Sequence, residues 1–229
     1  MPSSIELYRK IFDAFQAPVS RFDCGRKCAP LNEGIPVCCD TGHAIPLVDK
    51  HEWWLLQSRS DLWHRYVARD ADAKRELKDK HRDCRAVECK GFQHCERENR
   101  SMACRAFPFF PYITREDEVV GLACFWNFED RCWVQSNLQI VDPKFVRECI
   151  RGYEMLFAAD KAERDANREQ SAAMRRVFTR WNRIIPLLGR DGEFLAVEPG
   201  THRIRKAHWR EYPRHVAFKD EKPAPAAPR

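Results

Sequence analysis

Apolar residues recur at helical spacing at the start of the chain, where Ile5, Tyr8, Ile11, Phe12 and Phe15 share one face and predict a helix over residues 3–16. The next stretch, RFDCGRKCAPLNEGIPVCCDTGHAIPL, is dense in Gly, Pro, Asn and Asp and reads as loop and turns. Asp49 and Glu52 have capping-box spacing. The stripe after them, Trp53, Leu56, Leu62, Trp63, Tyr66 and Val67, predicts a second helix, broken near Ser58 to Ser60. Asp70 to Arg82 is almost wholly charged and reads as a solvated helical spacer. Beyond it, Phe107 to Tyr112 (FPFFPY) holds two prolines, and Glu118 to Trp126 predicts a short strand, so any sheet is expected to be small.

Asp142 and Pro143 have the pattern of an N-cap and first helical residue, followed by Val146, Ile150, Tyr153 and Phe157 on one face. A further stripe runs through Met174, Val177, Trp181 and Ile184, with Pro186 expected to end it. Joined, these would make one helix of roughly 65 Å, against a radius of gyration of about 17 Å for a compact chain of this length. The pattern therefore predicts a helix pair with a break near residues 159–170. The fold class expected is mainly α, with irregular metal-stabilised loops, at most a small β element and a C-terminal helix pair. Three regions are expected: a cysteine-cluster domain over 1–135, a helical region over 136–200, and a basic, Pro-rich, partly disordered tail over 201–229.

Composition changes this picture at one point. Eleven cysteines stand in 229 residues, none beyond Cys149. No signal peptide or apolar run long enough for a membrane span is visible, so the chain reads as cytoplasmic, and a reducing compartment favours metal or redox chemistry over disulfides. The net charge is +6, but residues 201–229 carry five Arg and three Lys against three acids, so the body is nearly neutral. Nucleic acid is not an expected partner for the body. The tail keeps open a binding module for nucleic acid or protein.

The first cysteine group, C-x3-C-x9-CC, is Cys24, Cys28, Cys38 and Cys39; the second is Cys84, Cys89, Cys95 and Cys104. A four-residue step across a Gly-containing loop lets two thiolates converge on one ion. Adjacent cysteines diverge, so Cys38 and Cys39 serve two metals or one of them packs. Eight candidate ligands exceed the four of a closed zinc site, which favours an iron–sulfur cluster over zinc. Phe107, Phe109 and Phe110 would shield a cluster, and Arg105 either offsets thiolate charge or makes a surface salt bridge. Cys124 and Cys132 flank FWNFEDR as a second candidate pair; Cys149 sits on a helix stripe and reads as core. His43, His51, His64, His81 and His94 lie between the two groups. Other chemistry falls away: there is no H-E-x-x-H, no glycine loop for phosphate, no G-x-S-x-G or S-x-x-K, and no C-x3-C-x2-C.

Arg100-Ser101-Met102-Ala103-Cys104-Arg105, followed by Phe107-Pro108-Phe109, together with the earlier CC pair and IPLVDKHEWWLL, resembles the zinc- or iron-chelating cysteine-cluster family (YkgJ-like, CxxCxxCC). The resemblance covers roughly residues 20–125. It departs in the x3 and x9 spacings, in Ser101 where proline is usual, and in Cys95, one residue closer to Cys104; Cys84 or Cys89 takes the place of the first cysteine of the second element. That family includes flagellin lysine N-methylases. Membership would imply a bound metal more firmly than a reaction, with methyl transfer or redox chemistry on a protein substrate, and S-adenosylmethionine, as the enzyme reading. Oligomeric state is not readable.

Overall fold

The computed structural model describes residues 4–68, 71–78 and 84–227. The first helix, α1 (Ile5–Ala14), starts where the Ser4 hydroxyl accepts the Leu7 amide N–H, and buries Tyr8, Ile11 and Phe12. The loop that follows is less irregular than expected, because Asp23 caps a single helical turn, α2 (Cys24–Cys28). After a further turn over Val37–Cys39 come β1 (Leu47–Asp49) and α3 (Lys50–Arg59). One Asp49 oxygen accepts the N–H groups of His51 and Glu52, so the cap forms. Glu52 does not close the box: its carboxyl accepts the Met102 N–H instead.

Helix α3 ends at Arg59, and the apolar stripe expected to prolong it enters β2 (Trp63–Arg65). The charged spacer is helical over α4 (Ala71–Lys78); the rest of that expectation, His81 included, lies outside the described residues. β3 (Cys84–Cys89) then runs between β1 and β2 in a three-stranded antiparallel sheet, pairing Asp49 with Cys84 at one end and Trp63 with Cys89 at the other.

The mainly α expectation is overturned: this is an α+β fold with a second, five-stranded antiparallel sheet. After a short helix, α5 (Met102–Ala106), come β4 (Phe109–Ile113) and β5 (Val119–Cys124). Two helices intervene, α6 (Pro143–Ala159) and α7 (Lys161–Arg180), before β6 (Ile185–Gly189), β7 (Phe194–Val197) and β8 (Ile204–Lys206) complete the sheet in sequential order. Asp142 caps α6 with Pro143 in its first turn, as the pattern predicts, and the break falls at Asp160, which caps α7. The two helices part to serve different faces: α6 packs on α1 and β5, α7 on β4 and β6. Helix α7 stops at Arg180, so Ile184 and Pro186 belong not to a helix end but to the sheet region.

The sheet has a core on each side. Phe109, Ile113 and Leu122 join Phe12, Phe15, Leu55, Phe145, Ile150 and Phe218 in one core; Phe110, Tyr112 and Ala123 join Met174, Phe178, Leu187 and Val197 in the other, under α7. This alternation along β4 is the two-residue period of a strand covered on both faces. Phe110 therefore faces the α7 core, away from Phe109. Strands β5 and β6 leave no room for a side chain at Gly121, where a Cβ would run into the Leu188 carbonyl oxygen.

The first core draws on residues from Tyr8 to Phe218 and crosses both expected boundaries, at 135/136 and 200/201. The residues expected as a partly disordered tail are built into the fold as far as 227: they supply β8, the buried Tyr212, whose hydroxyl reaches the carbonyl oxygens of Leu187 and Leu195 at 3.0 and 2.8 Å, and the buried Phe218. Among the described residues no helix is long and apolar enough to cross a membrane.

Candidate metal centre

All eleven cysteines carry free thiols. Four short segments bring most of them together. Helix α2 carries Cys24 and Cys28 one turn apart; the turn Val37–Cys39 carries the CC pair; the end of β3 and the turn Phe92–His94 deliver Cys89 and Cys95; and α5 carries Cys104. Ser101, fully buried, starts α5 by accepting the Cys104 N–H at 3.2 Å. A serine here supplies the N-cap of α5.

Cys38 is the hub. Its Sγ lies 3.7 Å from that of Cys39, and this contact, with burial, pushes its thiol well up. Burial pushes the Cys24 thiol up to about 12, and the charges of Cys38 and Cys28 push the same way. Cys104 is likewise pushed up to about 12 by burial, with Cys38 and Cys89 adding to it and Ser101 and Arg100 opposing. Burial also raises Cys89, with Cys95 and Cys38 contributing, and raises Cys28, with Cys38 contributing. Thiols raised in this way are neutral at physiological pH until a cation takes the place of their protons.

Cys84 stands apart at the opposite end of β3, paired across the ladder with Asp49. Of the two cysteines that could begin the second element, Cys89 is the one beside Cys95 and Cys38. Cys132 lies within reach of the charges of Cys24 and Cys28, and Cys124 within reach of Cys132, so that pair extends the thiol neighbourhood on one side. Cys149 is fully buried in the core, and burial alone raises it.

Arg105 is held by backbone and ring contacts. It donates to the carbonyl oxygens of Arg100, Phe15 and Glu98 and lies over the Phe12 ring at 4.4 Å. Arg100 is a cation in direct contact with the thiols: its Nε donates to Cys95 Sγ at 3.1 Å and its charge is felt by Cys38 and Cys104, while Arg97 lies within electrostatic range of Cys95. Sequence reasoning gave Arg100 no role and paired Cys132 only with Cys124, not with Cys24 and Cys28. The arginine five residues after Cys95 was a readable signal, whereas nothing in the spacing of Cys132 ties it to Cys24.

Phe107 packs on Phe128 and Phe109 on Phe145, with centroids at 5.0 and 5.6 Å, so these rings build the core. His43 is held by Arg131 and Asp40, His51 lies against Trp54, His64 faces Glu88, and His94 is exposed.

Among the described residues, no three His, Cys, Asp or Glu side chains stand close enough to hold one ion. The donor set fits a soft metal in kind, being thiols with a nearby cation to offset thiolate charge. Compared with protein-family models, with curated proteins and with solved structures, the chain matches none.

Proposed function

We propose that this chain is a cysteine-ligated metal protein, holding an iron–sulfur cluster, or zinc, on Cys24, Cys28, Cys38, Cys39, Cys89, Cys95 and Cys104. What supports the reading is the Cys38–Cys39 contact at 3.7 Å and the placing of Cys24, Cys89 and Cys104, on three other segments, within electrostatic range of Cys38. Cys149, by contrast, is raised by burial alone. Seven thiols exceed a zinc site's four, which favours iron.

A bound cluster would supply one-electron chemistry. The chain's own residues would hold it, with Arg100 offsetting negative charge and Ser101 fixing the turn that carries Cys104. The resemblance extends this to a redox or modification role on a protein substrate, with S-adenosylmethionine as the methyl donor in the methylase form of the reading. A cytoplasmic address belongs to the same proposal, since free thiols persist in reducing compartments. Nucleic acid is a weaker partner, because the basic C-terminal residues are committed to the fold through β8, Tyr212 and Phe218.

The test is iron, zinc and acid-labile sulfide content, with an absorption spectrum, on protein purified without oxygen. Iron and sulfide in near-equal amounts are expected, and Cys24→Ser, Cys89→Ser and Cys104→Ser should each lose both, while Cys84→Ser keeps them. Full metal content in the first three variants would overturn the assignment.

A further inference from the structure

Four arginines crowd one side of the thiols. The Glu98 carbonyl oxygen lies 3.5 Å from Arg59 Nη1 and accepts Arg105 Nη2 at 2.6 Å, so two guanidinium groups meet at one atom. Arg105 Nη1 donates to the Phe15 carbonyl at 2.6 Å, and Arg97 Nη2 to that of Gln16, the next residue, at 3.3 Å. Arg100 closes the turn that Arg97 begins, its N–H on the Arg97 carbonyl.

Among the described residues none of the four pairs with a carboxylate; their protein partners are carbonyl oxygens and the Cys95 sulfur. Elsewhere arginines meet acids, as Arg164 does Asp117, Arg183 Glu129 and Arg190 Glu154. Glu98, on the same turn, is exposed and pairs with none of them. Glu52, within range of Arg105, is buried and keeps its proton to about pH 8. The cations therefore act on one another: burial pulls the Arg105 guanidinium down to about 10, and Arg59, Arg100 and Arg97 pull the same way. Burial and Arg100 lower Arg97 as well, with Cys95 alone opposing. The end of α1 that takes Arg97 and Arg105 offsets only about half a charge. A surplus of positive charge remains, and an anion would relieve it.

The donors still unused face outward. Arg59 and Arg97 are exposed, and each keeps nitrogens with no protein partner. Arg100 spends Nε on Cys95 Sγ, while its Nη1 and Nη2 have no protein partner and retain access to solvent. Those two form the end-on fork by which a guanidinium takes two oxygens of one acid group, here one guanidinium away from a thiol. Cations gathered on so few backbone atoms suit an anion whose charge sits on one group. Carboxylates along one face of an extended peptide stand about 6.6 Å apart, whereas a phosphate monoester carries about −1.5 to −2 on one tetrahedral centre.

We propose that Arg97 and Arg100, supported by the charges of Arg59 and Arg105, bind a phosphate monoester beside the thiols. Binding needs no metal; that the bound ester is what a metal centre acts on rests on the function proposed above.

The experiment titrates the whole protein by calorimetry with phenyl phosphate, a phosphoserine tripeptide, acetate and triglutamate, with metal content measured on the same samples. A phosphate probe is expected to bind saturably with Kd of about 1 mM or tighter, and acetate at least about tenfold more weakly. The tighter of the two phosphate probes identifies the carrier as a small ester or a modified protein. Arg97→Gln should weaken phosphate binding by about tenfold at unchanged metal content, and Arg100→Lys, which keeps the charge but not the fork, by a similar factor. Should Arg100→Lys fail to fold, Arg97→Gln and Arg59→Gln, both at exposed positions, carry the test. No saturable phosphate binding, undiminished affinity in folded Arg97→Gln, or tighter binding of triglutamate than of either phosphate probe each overturns the proposal. Metal without phosphate binding overturns this site alone; phosphate binding without metal supports it and overturns the metal reading alone.

Discussion

Glu52 is only 3% exposed, and its Oε1 accepts the Met102 amide N–H at 2.6 Å, tying α3 to the start of α5. Burial raises its carboxyl to about 8; Asp49 and Glu163 push the same way, while the Met102 N–H and the Arg105 guanidinium pull it down. Burial also raises Tyr8 and Tyr153, the tyrosines that feel the Glu52 charge, and their protons stay on from acid to mildly alkaline pH. The folded chain thus keeps the Glu52 proton to higher pH than the unfolded chain, where a glutamate titrates near 4.3. The stability this confers is whole below about pH 4, declines above it, and is lost as the pH rises through about 8. Glu52→Gln keeps an oxygen for the Met102 N–H and carries no charge. It should match the wild type in thermal melts at about pH 4 and exceed it at about pH 9 by an amount on the order of a few kcal/mol. Glu163, raised by burial as well, leaves a residual slope in the variant. A wild type as stable as the variant at the higher pH would show that Glu52 is ionised at no cost in the fold.

At the scale of elements, the edge strand β4 depends on α7. Ser171, fully buried, accepts the Ile113 N–H at 2.9 Å, and Arg175, 6% exposed, donates to the Ile113 carbonyl at 2.7 Å. The helix thereby occupies backbone groups that an edge strand would otherwise offer to another chain. Ser171→Ala and Arg175→Met each leave one of those groups unmatched, and each should cost about 1–3 kcal/mol in denaturant unfolding, with faster hydrogen exchange at the Ile113 amide in Ser171→Ala. Unchanged protection there would mean that α7 covers β4 without sealing it. This arrangement also explains why the sheet was hard to read from the sequence. FPFFPY has no polar alternation because α1 and α6 cover one face and α7 the other, and its prolines argue against a central strand, whereas Pro111 sits on an edge, where proline is tolerated. Helices were legible because they are amphipathic: the caps at Asp49 and Asp142 and the stripes of α1 and α6 stand where the pattern puts them. Cysteine spacing likewise marked the segments whose thiols lie within electrostatic range of Cys38. It could not separate Cys89 from Cys84, because that depends on which end of β3 reaches the thiols, nor Arg100 from Arg105, because that depends on the direction α5 takes from its cap.

Over the whole molecule, the C-terminal residues act as a brace. Charge composition alone makes residues 201–229 look like a solvated extension, yet β8 closes one edge of the large sheet, Phe218 enters the main core, and Tyr212 bonds two strands at once. Further on, Glu221 holds Lys27 of α2 and the Trp133 indole, and the Ala227 N–H reaches the Gln139 carbonyl at 2.9 Å. The segment therefore joins the sheet to the helical turn that carries Cys24 and Cys28. Removing residues 201–229 strips burial worth ~1.5–3 kcal/mol from each of the two aromatic positions and exposes the edge of β7, a large part of the 5–15 kcal/mol that typically holds a domain folded. The truncated chain should lose its cooperative melt and aggregate; a melt like that of the full chain would restore the solvated extension. Glu221→Ala separates the brace from the sheet, since it leaves β8, Tyr212 and Phe218 in place while orphaning the Trp133 N–H and Lys27. A loss of about 1–3 kcal/mol is expected, with the largest gain in hydrogen exchange in α2 rather than in β7. The opposite distribution would mean that the C-terminal residues steady the sheet alone and leave the cysteine-bearing turn to hold itself.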